Sequence, residues 1–247
     1  MAMSKIATVA GVLASASLVA GHGYVSQISI DGETYPAWIG DQYPHMASPP
    51  DTVGWPNTVT DNGFVAPDAF SDPDVICHRG ATNAPLSAPV EAGGTIELTW
   101  NTWPQSHMGP IINYLANCNG DCATVDKTSL EWFKIQADAL VDPANNYWIT
   151  DELIDNGFTT SVTIPSGIAP GNYVLRHEII ALHSAANENG AQDYPQCFNI
   201  VVSGGGSDNP AGVVGTELYS PTDPGIMFNI YEGATEYPMP GPELYSS

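Results

Sequence analysis

Gly94-Thr95-Ile96-Glu97-Leu98-Thr99-Trp100 alternates polar and apolar residues along its length. A period of two is the pattern of a strand with one face in a core and the other in water. The stretch runs into Asn101-Thr102-Trp103-Pro104-Gln105-Ser106-His107-Met108-Gly109-Pro110, a loop with breakers toward both ends. Upstream, Val25 to Tyr35 reads as a hairpin: Ser26, Ile28 and Ile30 alternate with polar partners, and Asp31-Gly32 is a strong two-residue turn signal. Downstream, Leu130 to Ile135, Thr159 to Ile164, Tyr173 to His183 and Cys197 to Val202 read as further strands, most bounded by Pro or Gly. No run of helical periodicity exceeds about ten residues. Short strands separated by turn signals predict an all-β chain folded as an antiparallel sandwich.

Two segments stand outside this pattern. Trp38 to Pro73 is rich in Pro, Gly, Asp and aromatic residues and has little periodicity; a loop of that length in a compact domain is usually functional. From Ser203-Gly204-Gly205-Gly206 onward only about 40 Gly- and Pro-rich residues remain, too few for a second core, so they are expected to pack back on the domain as an extended tail.

Of the 247 residues, 27 are acidic and 5 are Lys or Arg, for a net charge of −22. Such a surface repels nucleic acid and anionic lipid. Only 13% of residues are charged at all, so most polar surface is uncharged, which suits an extracellular protein meeting a neutral partner. The apolar residues fall in short runs, and nothing beyond the N-terminus could span a membrane. That N-terminus reads as a secretory signal over residues 1–21, with Lys5 as its charged region and an apolar run from Ile6 to Ala20. Cleavage after Gly21 leaves small Gly21 and Val19 in the peptidase slots. The rival cut after Ala20 would place bulkier Leu18 in one of them. The favoured cut makes His22 the first residue of a single domain, 22–247, with no appended carbohydrate-binding module.

A terminal histidine is a bidentate ligand, because its α-amine deprotonates readily and its imidazole closes a chelate ring. With one more imidazole it gives a nitrogen-only set that suits copper. His107, in its Pro-bounded loop, is a candidate for that role. His45 and His78 also lie on irregular segments. His177 and His183, read as one strand, would be about 20 Å apart and could not share a metal. Gln192 and Tyr194 are two apart, so an extended segment points both to one side. Four cysteines in a secreted chain suggest two disulfides among three possible pairings. The spacing favours Cys118 with Cys122 across the Gly120-Asp121 turn, leaving Cys77 for Cys197; a structural zinc site is the other reading.

Several of these stretches agree with one family. His22-Gly23-Tyr24-Val25, then Trp103 through Pro110, then Arg176-His177-Glu178-Ile179-Ile180-Ala181-Leu182-His183, then Gln192-Asp193-Tyr194-Pro195-Gln196-Cys197, resemble the fungal lytic polysaccharide monooxygenases of auxiliary activity family nine, formerly glycoside hydrolase family sixty-one. Thr222-Asp223-Pro224-Gly225-Ile226 and Asn229-Ile230-Tyr231 in the tail match as well. The resemblance spans the mature chain in order. It implies an immunoglobulin- or fibronectin-like sandwich whose long loops form a flat active face. It implies one copper ion held by His22 and His107, with Tyr194 on the axial side. His183 and Gln192 would manage hydrogen bonds and protons beside it, and the disulfides would be Cys77–Cys197 and Cys118–Cys122. The implied reaction is hydroxylation at C1, C4 or both of cellulose or a related β-1,4-glucan, using O2 or H2O2 and electrons from a small reductant or cellobiose dehydrogenase. A secreted monomer is expected. Tyr231 and Tyr43 are the expected sugar-stacking residues, and His45 stands where relatives often present an aromatic ring.

Two other classes compete. A secreted copper-binding protein without oxidative activity would need the brace but not Tyr194, Gln192 and His183. A glycoside hydrolase would need paired carboxylates. Glu178 is its best candidate, although Arg176 on the same strand face makes a salt bridge the expected role.

Overall fold

The computed structural model describes residues 22–246. The signal-peptide reading of residues 1–21 lies outside them. Thirteen strands form: β1 Val25–Ile30, β2 Glu33–Pro36, β3 Ala88–Glu91, β4 Thr95–Trp100, β5 Ile111–Asn117, β6 Glu131–Asp138, β7 Leu140–Asp142, β8 Tyr147–Trp148, β9 Thr159–Thr163, β10 Gly171–Ala181, β11 Gln192–Asp193, β12 Gln196–Ser203 and β13 Val213–Val214. Two short helices, α1 (Asp74–Cys77) and α2 (Ile149–Asp155), interrupt them.

The alternation in β4 places it inside a four-stranded antiparallel sheet ordered β2-β1-β4-β9. The turn between β1 and β2 has positive φ at both Asp31 and Gly32, the backbone a two-residue hairpin requires. A register shift between Val25 and Gln27 turns Val25, rather than the expected Ser26, toward the core. The larger sheet runs β13-β6-β5-β10-β12-β3, with β11 added beside β10; its β3–β12 pair is parallel.

Ile28, Ile30, Ile96, Leu98 and Trp100 of the first sheet pack against Leu115, Leu175, Ile179, Phe198 and Ile200 of the second, which makes the molecule a sandwich. The other face of the large sheet is buried too. Ile112, Tyr114, Val174 and Ile180 meet Trp55, Val75, Ile76, Trp132 and Trp148, together with Leu218, Ile226 and Ile230 of the tail. The tail therefore packs back on the domain as expected, and the irregular stretch from Trp38 contributes Val53, Trp55 and Val65 to the cores. Cys77–Cys197 and Cys118–Cys122 are both formed, so the zinc reading falls.

One strand boundary needs correcting. β10 ends at Ala181, not at His183, because Leu182 bonds Met108 and Ala185 bonds back to Leu182 in a turn. His177 and His183 therefore do not share a strand face. His177 is fully buried between the sheets, accepting from Trp100 Nε1 at 3.0 Å and pairing with Asn113 Oδ1 at 2.8 Å, while His183 sits on the loop beyond.

Positive charge is scarce and fully engaged among the described residues. Arg176 is buried against Glu178 and Asp193, and buried Lys134 donates to the Pro240 carbonyl. Arg79 pairs with Asp61, and Lys127 donates to the Ala81 carbonyl. No helix among the described residues is long and apolar enough to cross a membrane.

Candidate metal centre

Residues 23–25, which follow His22, are fixed from both sheets. Tyr24 N–H donates to Asn101 Oδ1 at 2.9 Å, Asn101 N–H returns a bond to the Tyr24 carbonyl, and Val25 N–H donates to Gln196 Oε1 at 2.7 Å. Gly23 is required between them: a Cβ there would lie 2.0 Å from the Thr102 carbonyl oxygen. His22 thus emerges at one place on the rim.

His107 is delivered there by the β4–β5 loop. Trp103 Nε1 donates to the His107 carbonyl at 2.9 Å and His107 N–H closes a turn onto Pro104. Gly109 lets the loop press on β10, where a Cβ would approach the Ile180 carbonyl oxygen to 1.9 Å. The two imidazole centroids are 5.0 Å apart at 65°. His107 Nδ1 pairs with Ser106 Oγ at 3.0 Å, whereas its Nε2 is buried and has no hydrogen-bond partner. Burial, reinforced by His183 and His22, pushes the His107 imidazole down to about 3. Burial also lowers His22, although Asp61 pulls it back up. Both rings are therefore neutral imidazoles at ordinary pH, the form that binds metals.

Tyr194 comes in from the opposite sheet, with its ring 5.4 Å from that of His22 and 5.1 Å edge-on to Trp103. Its hydroxyl donates to Gln192 Oε1 at 2.8 Å, and burial beside Asp193 raises its pKa far enough to keep it a neutral phenol. Gln192 also lies beside the His22 imidazole. The His183 ring stacks on His107 at 3.9 Å. Five residues singled out in the sequence, His22, His107, His183, Gln192 and Tyr194, thus meet at one end of the sandwich. Among the described residues no three His, Cys, Asp or Glu side chains form a metal cage. The nitrogen donors here are two imidazoles, joined by the His22 α-nitrogen if processing frees it.

Comparison with known proteins agrees with this geometry. The sequence model described as "Auxiliary Activity family 9 (formerly GH61)" matches residues 22–237. The chain belongs to auxiliary activity family 9. It is 69% identical to AA9 family lytic polysaccharide monooxygenase F of Emericella nidulans, with the full length of both covered. It is 57% identical to AA9 family lytic polysaccharide monooxygenase A of Thermoascus aurantiacus, 91% of this chain matching 100% of that one. Among solved structures it is similar to the extended catalytic domain of LPMO9A from H. jecorina, with a TM-score of 0.88, 54% identity and 91% of each chain covered. It is a lytic polysaccharide monooxygenase that cleaves polysaccharides oxidatively, and its sandwich is the family 9 fold.

The remaining expected residues are distributed as follows. Tyr43 opens a short 3-10 turn ending at His45; it is half-buried edge-on to Trp38 at 5.2 Å, while His45 is exposed. That turn lies beside the segment that follows His22, where Tyr24 Oη donates to Asp41 at 2.8 Å. Tyr231 is 65% exposed, on a segment held to the His183 loop where Phe228 N–H donates to the Ala185 carbonyl. Glu178 is fully buried in its salt bridge to Arg176, 2.7 Å away, and cannot reach a substrate, which removes the hydrolase reading. Phe64, edge-on to His22 at 6.2 Å, was not legible as a site residue because it lies in the stretch without periodicity. Trp103 had a signal, since it sits four residues before His107 in a breaker-bounded loop.

Proposed function

We propose that this family 9 enzyme is a secreted, copper-dependent monooxygenase that cleaves β-1,4-glucan chains by hydroxylation at C1 or C4. In its mature form it begins at His22. The carrying observation is the His22–His107 pair: two neutral imidazoles 5.0 Å apart, one with a buried Nε2 that has no protein partner. An all-nitrogen set suits copper in both oxidation states. Support for the cut comes from the family match, which starts at residue 22, and from the Thermoascus relative, whose whole length spans about the share left once residues 1–21 are removed.

Bound copper would supply one-electron reduction by an external donor and activation of O2 or H2O2 against a strong C–H bond. The chain's own residues define the rest. His22 and His107 would hold the ion, and Tyr194 would stand beside them with a neutral hydroxyl already committed to Gln192. Gln192, beside His22, and the neutral His183 imidazole, stacked on His107, are the groups that would hold or move a proton there. His183 Nδ1 is buried without a partner, which leaves the ring unlocked by any second hydrogen bond. The segment bearing Tyr43 and His45, linked near Tyr24, and the tail bearing exposed Tyr231, linked to the loop after His183, would supply the sugar-facing surface. A small-molecule reductant or cellobiose dehydrogenase is the proposed electron donor, and the enzyme acts as a monomer.

The test incubates the copper-loaded mature protein with amorphous cellulose, with and without ascorbate, and analyses soluble products by mass spectrometry. Aldonic acids or ketoaldoses that need the reductant, and that vanish with a chelator or with His107→Ala, are expected; the masses report C1 or C4 attack. Unoxidised oligosaccharides released without reductant would defeat the proposal.

A further inference from the structure

β11 carries Gln192 and leads directly to Tyr194, yet it is only two residues long. Its backbone bonds, to Val65 on one side and along β10 at Ile180–Asp193 and Ala181–Gln192 on the other, are made by groups every residue has. Such bonds do not say which residue belongs in which place. In a strand, a slip by one residue exchanges the two faces. Here a slip would exchange the two faces, taking Gln192 and Tyr194 away from His22 and aiming Asp193 at it.

The side chain between them prevents this. Asp193 points away from the metal centre and is fully buried, its Oδ2 accepting from an Arg176 terminal nitrogen at 3.3 Å. Arg176 is itself immobilised. Its Nε donates to the Ile76 carbonyl at 2.8 Å, a terminal nitrogen donates to the Val75 carbonyl at 2.9 Å, and Glu178 Oε2 lies 2.7 Å away. Those carbonyls belong to α1, whose last residue, Cys77, is bonded to Cys197 at the start of β12. The guanidinium is therefore a fixed socket that only one residue of β11 can reach. As a source of stability the arrangement is poor, because desolvating charges offsets much of their attraction; fixing register is the best-attested use of such buried polar contacts.

We propose that the Arg176–Asp193 contact is the register lock of the metal-facing strand, which makes Asp193 a positioning residue for Gln192 and Tyr194. The consequence at the metal rests on the copper reading above.

The experiment compares Asp193→Ala with Asp193→Asn in the full mature protein, using copper titration, the electron paramagnetic resonance spectrum of the Cu(II) form, and amide exchange at Tyr194 in the metal-free form. Without the lock, Asp193→Ala should bind copper at least about tenfold more weakly. It should also show a shifted spectrum and exchange the Tyr194 amide faster. Asp193→Asn keeps an acceptor oxygen in the same place and should restore all three. An alanine variant that loses only melting temperature, with wild-type affinity, spectrum and exchange, would overturn the lock, as would an asparagine variant no better than alanine. Should Asp193→Ala not fold, Asp193→Ser, whose hydroxyl is too short to reach Arg176, is measured instead. Failure of both to fold beside a folded Asp193→Asn would make the contact purely structural and overturn the proposal. Wild-type protein that does not bind copper would refute the copper reading alone, and amide exchange would then decide the lock.

Discussion

Removing the Cys77–Cys197 disulfide should cost far more stability than removing Cys118–Cys122, although each replaces two buried or nearly buried cysteines. The first closes a loop with a sequence separation of 120 and the second one of 4. Loop-closure entropy assigns about 5 kcal/mol to the long loop and about 2 kcal/mol to the short one. Truncating Cys77, Cys197, Cys118 and Cys122 to alanine adds comparable small cavities in both cases, so the difference of about 3 kcal/mol survives. For a domain of this size each kcal/mol corresponds to about 2–4 °C, so loop closure alone should lower the melting temperature by about 10–20 °C in Cys77→Ala/Cys197→Ala and by about 4–8 °C in Cys118→Ala/Cys122→Ala, with the cavity cost added to both. Urea unfolding followed by tryptophan fluorescence gives the same comparison isothermally. Equal losses, or a larger loss for the short loop, would refute the entropic reasoning. A long-loop variant with unchanged melting would show that the contacts around Cys197, including the Trp55 N–H bond to its carbonyl, already hold the region.

Gly109→Ala should lower stability by about 1–3 kcal/mol through overpacking against the Ile180 carbonyl, and weaken copper binding as the loop carries His107 away; calorimetry and copper titration read the two effects. Burial pushes His177 down to about 3, below its ordinary 6.5, so the unfolded chain binds the proton that the native ring refuses. Its contribution is present above pH 6.5 and is lost as the pH falls toward 3; His78, buried and likewise pushed down to about 3, acts in the same direction. His177→Gln should therefore flatten the rise of melting temperature with pH across that window. Tyr231→Ala should leave melting unchanged, because the residue is exposed, yet reduce pull-down on cellulose several-fold. Unaltered binding would remove Tyr231 from the sugar-facing surface.

The parts of the fold that were legible have one face wet and one dry. β4 shows clean alternation because its outward residues reach solvent, and the Asp31-Gly32 turn declares β1 and β2. β5 was missed for the opposite reason. Six of its seven residues are buried because both faces of the large sheet are covered, so Ile111-Ile112-Asn113-Tyr114-Leu115-Ala116 carries no period of two. α2, with seven residues, is too short to display a helical period. At the centre, chemistry marks His22 as a chelating terminus and His107 as a candidate partner, whereas the place of Tyr194 beside them was legible only through the family resemblance, since a lone tyrosine in an extended segment reads as a core residue. His183 was legible as a residue and misplaced as structure, since periodicity cannot say where a strand ends. Asp193 was invisible as a buried group: nothing local distinguishes a carboxylate that meets a guanidinium seventeen positions away from one that meets water.

The engagement of every described lysine and arginine has a consequence at the level of many molecules. With Arg176 and Lys134 inside and the partly exposed Arg79 and Lys127 already bonded, the exterior of the described residues has few cations with which one copy can bridge to the acids of another. Between two copies the long-range electrostatic interaction is therefore a repulsion between like net charges. That repulsion reaches about 30 Å at 0.01 M salt and about 8 Å at 0.15 M. Ionic strength then sets how closely copies approach one another: dilute buffer keeps them apart, and added salt lets them crowd together.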